Sequence, residues 1–141
     1  MYAMAPRETK RAEKEFRRFL ANGEDENTEF KRCSKGARDD TFETLCSFAN
    51  GGGGDIFLGV EDGGTVCGIA KDTAPEIAGG IVRTASNPAL FKPPIPLEPE
   101  IFTAGGKTLV RIRVPSGGAT PHSYKGVGYK RVGDADIAVR M

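Results

Sequence analysis

The stretch Phe48-Ala49-Asn50-Gly51-Gly52-Gly53-Gly54-Asp55-Ile56-Phe57-Leu58-Gly59-Val60-Glu61-Asp62-Gly63-Gly64 decides how this chain is read. Apolar residues closing a helix run into four glycines, a short apolar segment, two acids and a Gly-Gly turn. Consecutive residues without a Cβ let the backbone take positive φ or approach another surface closely. Ile56-Phe57-Leu58 and Val60 are a short aromatic and β-branched run, which favours a central strand over a buried helix. Glu61 and Asp62 then stand at the strand's carboxyl end, where sites on sheets with helical cover collect.

Upstream, residues 39–49 read as a helix, with Asp39 and Asp40 at its dipole-favoured N-terminal end and Phe42, Leu45, Cys46 and Ala49 as its apolar stripe. Cys46 is therefore a core residue rather than a nucleophile. Thr28, Phe30 and Arg32 alternate with Glu29, Lys31 and Cys33, which suits a short strand, and Glu24, Asp25, Glu26 and Glu29 make a dense anionic patch before and within it. Residues 8–21 read as a helix with Ala12, Phe16, Phe19 and Leu20 on one face and Lys10, Arg11, Lys14, Arg17 and Arg18 on the other; Asn22-Gly23 stop it. The basic face is a solvated surface or a phosphate contact.

Downstream, Gly63-Gly64 is a hairpin turn, and Thr65-Val66-Cys67-Gly68-Ile69 is expected to return as an antiparallel strand. Thr73 and Glu76, with Pro75 between them, predict a capping box opening a third helix on Ile77, Ile81 and Ala85; Asn87-Pro88 end it. Pro93, Pro94, Pro96 and Pro99 make Ile95-Leu97-Ile101 an irregular edge strand. After a turn at 104–107, Val110, Ile112 and Val114 alternate with Arg111 and Arg113, so one face is core and the other carries two arginines. The last strand is expected at 128–133.

A chain of 141 residues reads as one domain and buries roughly two-thirds of its unfolded surface. No apolar run approaches the roughly 20 residues of a membrane span. Met1 to Lys14 is charged, so it is no secretory signal. Cys33, Cys46 and Cys67 form no CxxC pair and predict reduced thiols in a cytoplasmic protein. Net charge is +1, but residues 22–105 carry seven basic and fourteen acidic side chains, and residues 106–141 carry seven basic and two acidic. A basic final third beside an acidic middle suggests a phosphate-facing strip next to a carboxylate cluster, or a plain solvated surface.

Three chemistries follow. Gly51 to Gly54 could cradle a phosphate on consecutive N–H groups, yet the loop runs from helix to strand and lacks the Gly-Lys-Ser/Thr ending of a P-loop. Glu24, Glu29 and Glu61 or Asp62 are hard oxygen ligands suited to Mg2+ or Mn2+, an arrangement that can activate water for phosphodiester cleavage; the alternative is ordinary surface acids. His122 is the single histidine, which excludes a two-histidine zinc site within one chain and leaves a phosphate contact or a turn-capping bond.

In order and spacing, Glu24 with Glu29-Phe30-Lys31, Ser47-Phe48-Ala49-Asn50 with Gly53-Gly54, Leu58-Gly59-Val60-Glu61-Asp62-Gly63, Gly68-Ile69, Val114-Pro115, Pro121-His122 and Tyr129-Lys130-Arg131-Val132-Gly133 resemble the Schlafen/Alba-type DNA-binding domain, once described as a divergent AAA domain. The resemblance implies an α+β fold, a mixed and mostly antiparallel sheet packed with about three helices. It divides the chain into an N-terminal helix, 1–22, and a nucleic-acid-binding domain, 23–141, cut from a longer bacterial regulator. It implies the DNA-binding module of a transcriptional regulator, contacting phosphates through Lys31, Lys35, Arg111, Arg113, His122, Lys125, Lys130 and Arg131. In animal Schlafens a similar module cleaves structured RNA with two glutamates five residues apart and an aspartate. That implies the alternative of a Mg2+- or Mn2+-dependent ribonuclease using Glu24, Glu29 and Glu61 or Asp62. A weaker alternative is an ATP-binding module. The paired lobes of animal Schlafens further imply a homodimer, with Phe16, Phe19 and Leu20 as apolar anchors.

Overall fold

The computed structural model describes residues 6–33 and 36–139. The elements run α1 (Pro6–Asn22), β1 (Thr28–Lys31), α2 (Asp39–Ala49), β2 (Gly54–Leu58), α3 (Ala74–Ala85), β3 (Phe91–Lys92), β4 (Glu100–Ala104), β5 (Lys107–Val114), β6 (Ser123–Tyr124), β7 (Val127–Val132) and β8 (Ala135–Val139). The fold is α+β, with three helices and two sheets, ordered β1-β2-β5-β4 and β3-β6-β7-β8. Among the described residues only β1 and β2 pair in parallel; the other neighbours are antiparallel.

Alternation along β2 sends side chains to two cores. Ile56 and Leu58 join Leu45, Ile81, Val110 and Ile112 beneath α2 and α3. Phe57 points the other way and joins Phe16, Phe30, Phe102 and Leu109 beneath α1. Both faces of the first sheet are therefore covered, and the face of β5 that was expected to offer two arginines lies partly under α1. Phe16 is fully buried there, with Phe19 and Leu20 half-buried against the same cluster. These three residues pack on their own sheet and do not stand free as anchors for a second copy. The exposed large apolar side chains among the described residues are Val127, Val132 and Ile137, all in or between β7 and β8.

The glycine loop closes a helix. The N–H groups of Gly51 and Gly53 both donate to the Phe48 carbonyl, at 3.0 and 2.9 Å, and the Asn50 N–H donates to Cys46. Two of the four loop amides are thus satisfied by a single orphan helix carbonyl. Gly53 sits at φ +82°, and a Cβ on it would lie 2.6 Å from the Val114 carbonyl. The glycines let the end of α2 settle against β5.

Three local expectations differ from the structure. Residues 65–69 form no strand but two isolated bridges, Val60 with Val66 and Ile69 with Thr108; Gly68, at φ +76°, turns the chain between them. The Thr73–Glu76 capping box is not formed, because Thr73 already has helical φ and ψ and its side chain caps nothing. Residues 93–99 stay outside any strand, and the edge strand begins only at Glu100. The sequence reading also stopped one strand early: the turn at Gly133 leads into β8, which pairs with β7 from Val132↔Ala135 to Gly128↔Val139.

Candidate functional site

The site is built on the free edge of β1. A tight turn bridges Asp25 and Thr28, with the Asn27 N–H held by the Asp25 carboxylate at 2.8 Å. That turn folds Glu24 back beside the strand, where its carboxylate accepts the Phe30 N–H at 2.9 Å. The five-residue spacing of Glu24 and Glu29 thus becomes adjacency across a turn. Asp62 arrives from the loop after β2, which is closed by the Glu61 N–H to the Thr65 carbonyl and the Gly64 N–H to the Glu61 carbonyl, both at 2.8 Å.

Carboxylate oxygens of Glu24, Glu29 and Asp62 lie within 4.8 Å of one another. Hard cations bind oxygen at ~2.0–2.6 Å, so ligands on opposite sides of one ion are ~4–5 Å apart, and the trio fits that span. The third acid is Asp62; Glu61 stands outside the cluster, and Asp62 sits in a turn and not on a neighbouring strand. The trio lines a cavity of about 700 Å³, with Lys31, Arg32 and Arg38 also on its wall.

Glu29 has the most perturbed environment. The residue is 6% exposed, and burial, followed by the Glu24 carboxyl beside it, pushes its pKa up to about 8 against the pull of Lys31 and Arg131. Two carboxylates this close favour a shared proton or a shared cation. Beneath them, Arg131 Nη1 donates to Glu29 and to Asp136, both at 2.9 Å, while Nη2 donates to the Asp25 carbonyl at 2.9 Å and the Thr28 carbonyl at 3.3 Å. The guanidinium stacks on Phe48, 4.8 Å from the ring centre. Asp136 also accepts the hydroxyls of Thr44 and Ser47. This network ties the last hairpin to α2 and to the turn that carries Glu24.

The proposed phosphate contacts divide sharply. Arg131 is buried beneath the trio and holds carboxylates in place of phosphate. Arg111 is 5% exposed, bound to Asp55 and to Glu15 at 2.9 Å each and stacked on Phe19 and Phe57. His122 is equally buried; its Nδ1–H donates to the Pro93 carbonyl at 2.6 Å and its backbone N–H to Asn50 Oδ1 at 2.6 Å. All three are structural groups, because each is desolvated and already partnered. Arg113 is exposed but reaches Glu15 and Glu100, both at 3.4 Å, and Lys125 is exposed beside Asp39 at 3.0 Å. Lys31 stands on the cavity wall, 3.3 Å from Asp40, and Lys130 is exposed beside the glycine loop. Lys35 lies outside the described residues.

Sequence reasoning missed Asp136, Arg32 and Arg38. The first belongs to the unread strand after Gly133. Arg32 follows the end of β1 and Arg38 is the residue before α2, and only the fold brings them to one cavity. Burial pushes the Cys46 thiol up to about 11, consistent with a core residue. Among the described residues no helix is long and apolar enough to cross a membrane.

The sequence model of one family, described as Schlafen, AlbA_2, matches residues 24–140. Among solved structures, the chain resembles the N-terminal domain of a protein from Nitrosomonas europaea described as ATP-dependent DNA helicase RecG-related, at 26% identity and TM-score 0.52, covering 81% of this chain and 83% of that one. It also resembles the DIP2311 protein from Corynebacterium diphtheriae, at 20% identity and TM-score 0.59, covering 94% of this chain and 27% of that one; this second likeness is one of fold. No curated protein matches the chain.

Proposed function

The chain belongs to the Schlafen, AlbA_2 family, and from that premise we propose that it is a nucleic-acid-binding domain, the DNA-binding module of a regulator or helicase-like protein. The observation that carries this reading is the mixed character of the cavity. Lys31, Arg32 and Arg38 stand on the same wall as three clustered carboxylates. Cations at the wall can hold phosphates, while the acids need a counter-cation before a polyanion can approach. The 26% identical domain of the RecG-related protein supports a role on DNA.

The clustering of Glu24, Glu29 and Asp62 within 4.8 Å favours a second reading, a Mg2+- or Mn2+-dependent ribonuclease. These three residues would hold the ion, which supplies Lewis-acid polarisation of a phosphoryl oxygen and a more acidic bound water. Arg131 fixes Glu29 from below, and the Phe30 N–H fixes Glu24.

Labelled duplex DNA, an RNA hairpin and tRNA, incubated at two salt concentrations with and without Mn2+, test both readings. Salt-dependent binding without cleavage leaves the first alone; Mn2+-dependent cutting establishes the second; absence of binding to all three sinks both. Asp62→Asn is the clean variant, because Asp62 is exposed and has no hydrogen bond among the described residues. It should abolish Mn2+-dependent cutting and the thermal stabilisation given by Mn2+, which reaches about 2.7 kcal/mol at a hundredfold excess over Kd. Binding of nucleic acid without metal should be kept or modestly tightened, since one repelling charge is gone. Since the ion must displace the proton that Glu29 retains up to about pH 8, Mn2+ should stabilise the protein more as pH rises toward that value. A pH-independent shift would take Glu29 out of the ligand set.

A further inference from the structure

The outward face of α1 holds five cations, four of which, Lys10, Arg11, Lys14 and Arg18, form no salt bridge among the described residues. Lys10, Arg11, Lys14, Arg17 and Arg18 are all exposed. At 3.6 residues per turn they fall within an arc of about 120°, opposite Ala12 and Phe16. Glu13 and Glu15 stand at the two borders of that arc; Glu13 is shared between Arg17 and the turn after β4, and Glu15 is drawn to the arginines of β5. Glu13 accepts Arg17 at 2.8 Å and the Gly105 N–H at 3.0 Å; Glu15 accepts Arg111 at 2.9 Å and Arg113 at 3.4 Å. Neither acid pairs with Lys10, Arg11, Lys14 or Arg18. Lys10, Lys14 and Arg18 also form a row of like charges at i,i+4 spacing, which opposes helix formation. A helix that served only to cover the sheet would gain by alternating the signs.

The face also leads to the site. α1 ends at Asn22, two residues before Glu24. The Gly23 N–H closes the helix on the Phe19 carbonyl, and Leu20 packs at Gly64, in the loop that carries Asp62. The opposite face of α1 is already in the core, with Phe16 fully buried, so the helix has no free apolar side to sink into a bilayer. A polyanion that needs charge alone, and not an apolar anchor, fits this surface.

We propose that α1 is a phosphate-tracking surface that lays a nucleic-acid strand along Lys10, Lys14 and Arg18 toward the Glu24, Glu29 and Asp62 cluster. The inference rests on the nucleic-acid reading above and assigns the contact to residues that precede the family-matched segment.

The test measures affinity against salt for the complete chain, the K10Q/K14Q/R18Q variant and a charge-matched control, K71Q/R83Q/K92Q, whose residues are exposed elsewhere. Glutamine keeps helix propensity. Each lost phosphate contact should flatten the slope of log affinity against log salt by about 0.7–0.9, so the helix variant should lose roughly 2–3 units and the control almost none. Equal flattening in both variants would reduce the effect to net charge and overturn the proposal. So would an unmoved slope in the helix variant, while leaving the nucleic-acid reading standing. A chain that binds no DNA or RNA overturns that reading and this inference together. Binding to phosphatidylserine vesicles in its place would assign the face to lipid.

Discussion

Above about pH 8, replacing Arg131 by methionine should destabilise the domain by about 3–5 kcal/mol, because the side chain then leaves behind two carboxylates that it neutralises from beneath the site. Arg131 Nη1 meets Glu29 and Asp136, and their side chains are 8% and 13% exposed. Removing one member of such a group costs more than the intact group contributes, since the remaining charges are stranded in a poor solvent for ions. The effect should depend on pH, with a definite sign. The Glu29 carboxyl is raised from 4.5 to about 8 in the fold, so its protonated form is favoured there. Its contribution to stability is fully present below the unfolded value and is lost as pH rises through the folded one. Without Arg131 the carboxylate form keeps the attraction of Lys31 but loses its buried hydrogen-bonding partner, so the variant should be closest to the parent in mild acid and fall furthest behind above about pH 8. Urea unfolding of both proteins across that range checks this, with Arg131→Lys as the variant that keeps the charge but loses the fork. Parallel stability curves would remove Glu29 as the coupled group.

Phe57→Ala should cost about 3–5 kcal/mol through the core on the other side of the sheet. The Phe57 ring lies 5.2 Å from Phe16, 5.1 Å from Phe19 and 6.3 Å from both Phe30 and Phe102, and Arg111 stacks over it at 5.4 Å. One truncation therefore opens a void against four rings and strips one face from a buried guanidinium. The loss should appear as a lower urea midpoint with an unchanged slope. A loss under about 1 kcal/mol would mean that α1 collapses into the void and that its seat on the sheet is soft.

The sequence disclosed local features well and distant partners poorly. α2 was legible to the residue, 39–49, because two acids and an Asn-Gly stop bracket an apolar stripe. Glu24 and Glu29 were legible as a pair because a single turn joins them. Arg111 and Arg131 were not, since alternation and charge counts do not distinguish a guanidinium in water from one over a buried acid. Their partners Glu15 and Glu29 lie 96 and 102 residues away. β8 escaped because its burial does not alternate: its sequence Ala-Asp-Ile-Ala-Val keeps only Asp136 and Val139 half-covered. The membership in the Schlafen, AlbA_2 family and the α+β class were both readable, because turn glycines and short apolar runs in a fixed order carry them.

The separation of 102 positions from Glu29 to Arg131 also has a meaning in time. A ribosome adds roughly 5–20 residues per second, so the acidic turn emerges roughly 5–20 s before the arginine that neutralises it. Throughout that interval the nascent β1 edge bears its carboxylates without their buried counter-ion. The acidic half of the site is made first, and it acquires its final shape only when the last hairpin docks. A stalled chain released before Arg131 would carry all three acids and still lack the assembled site.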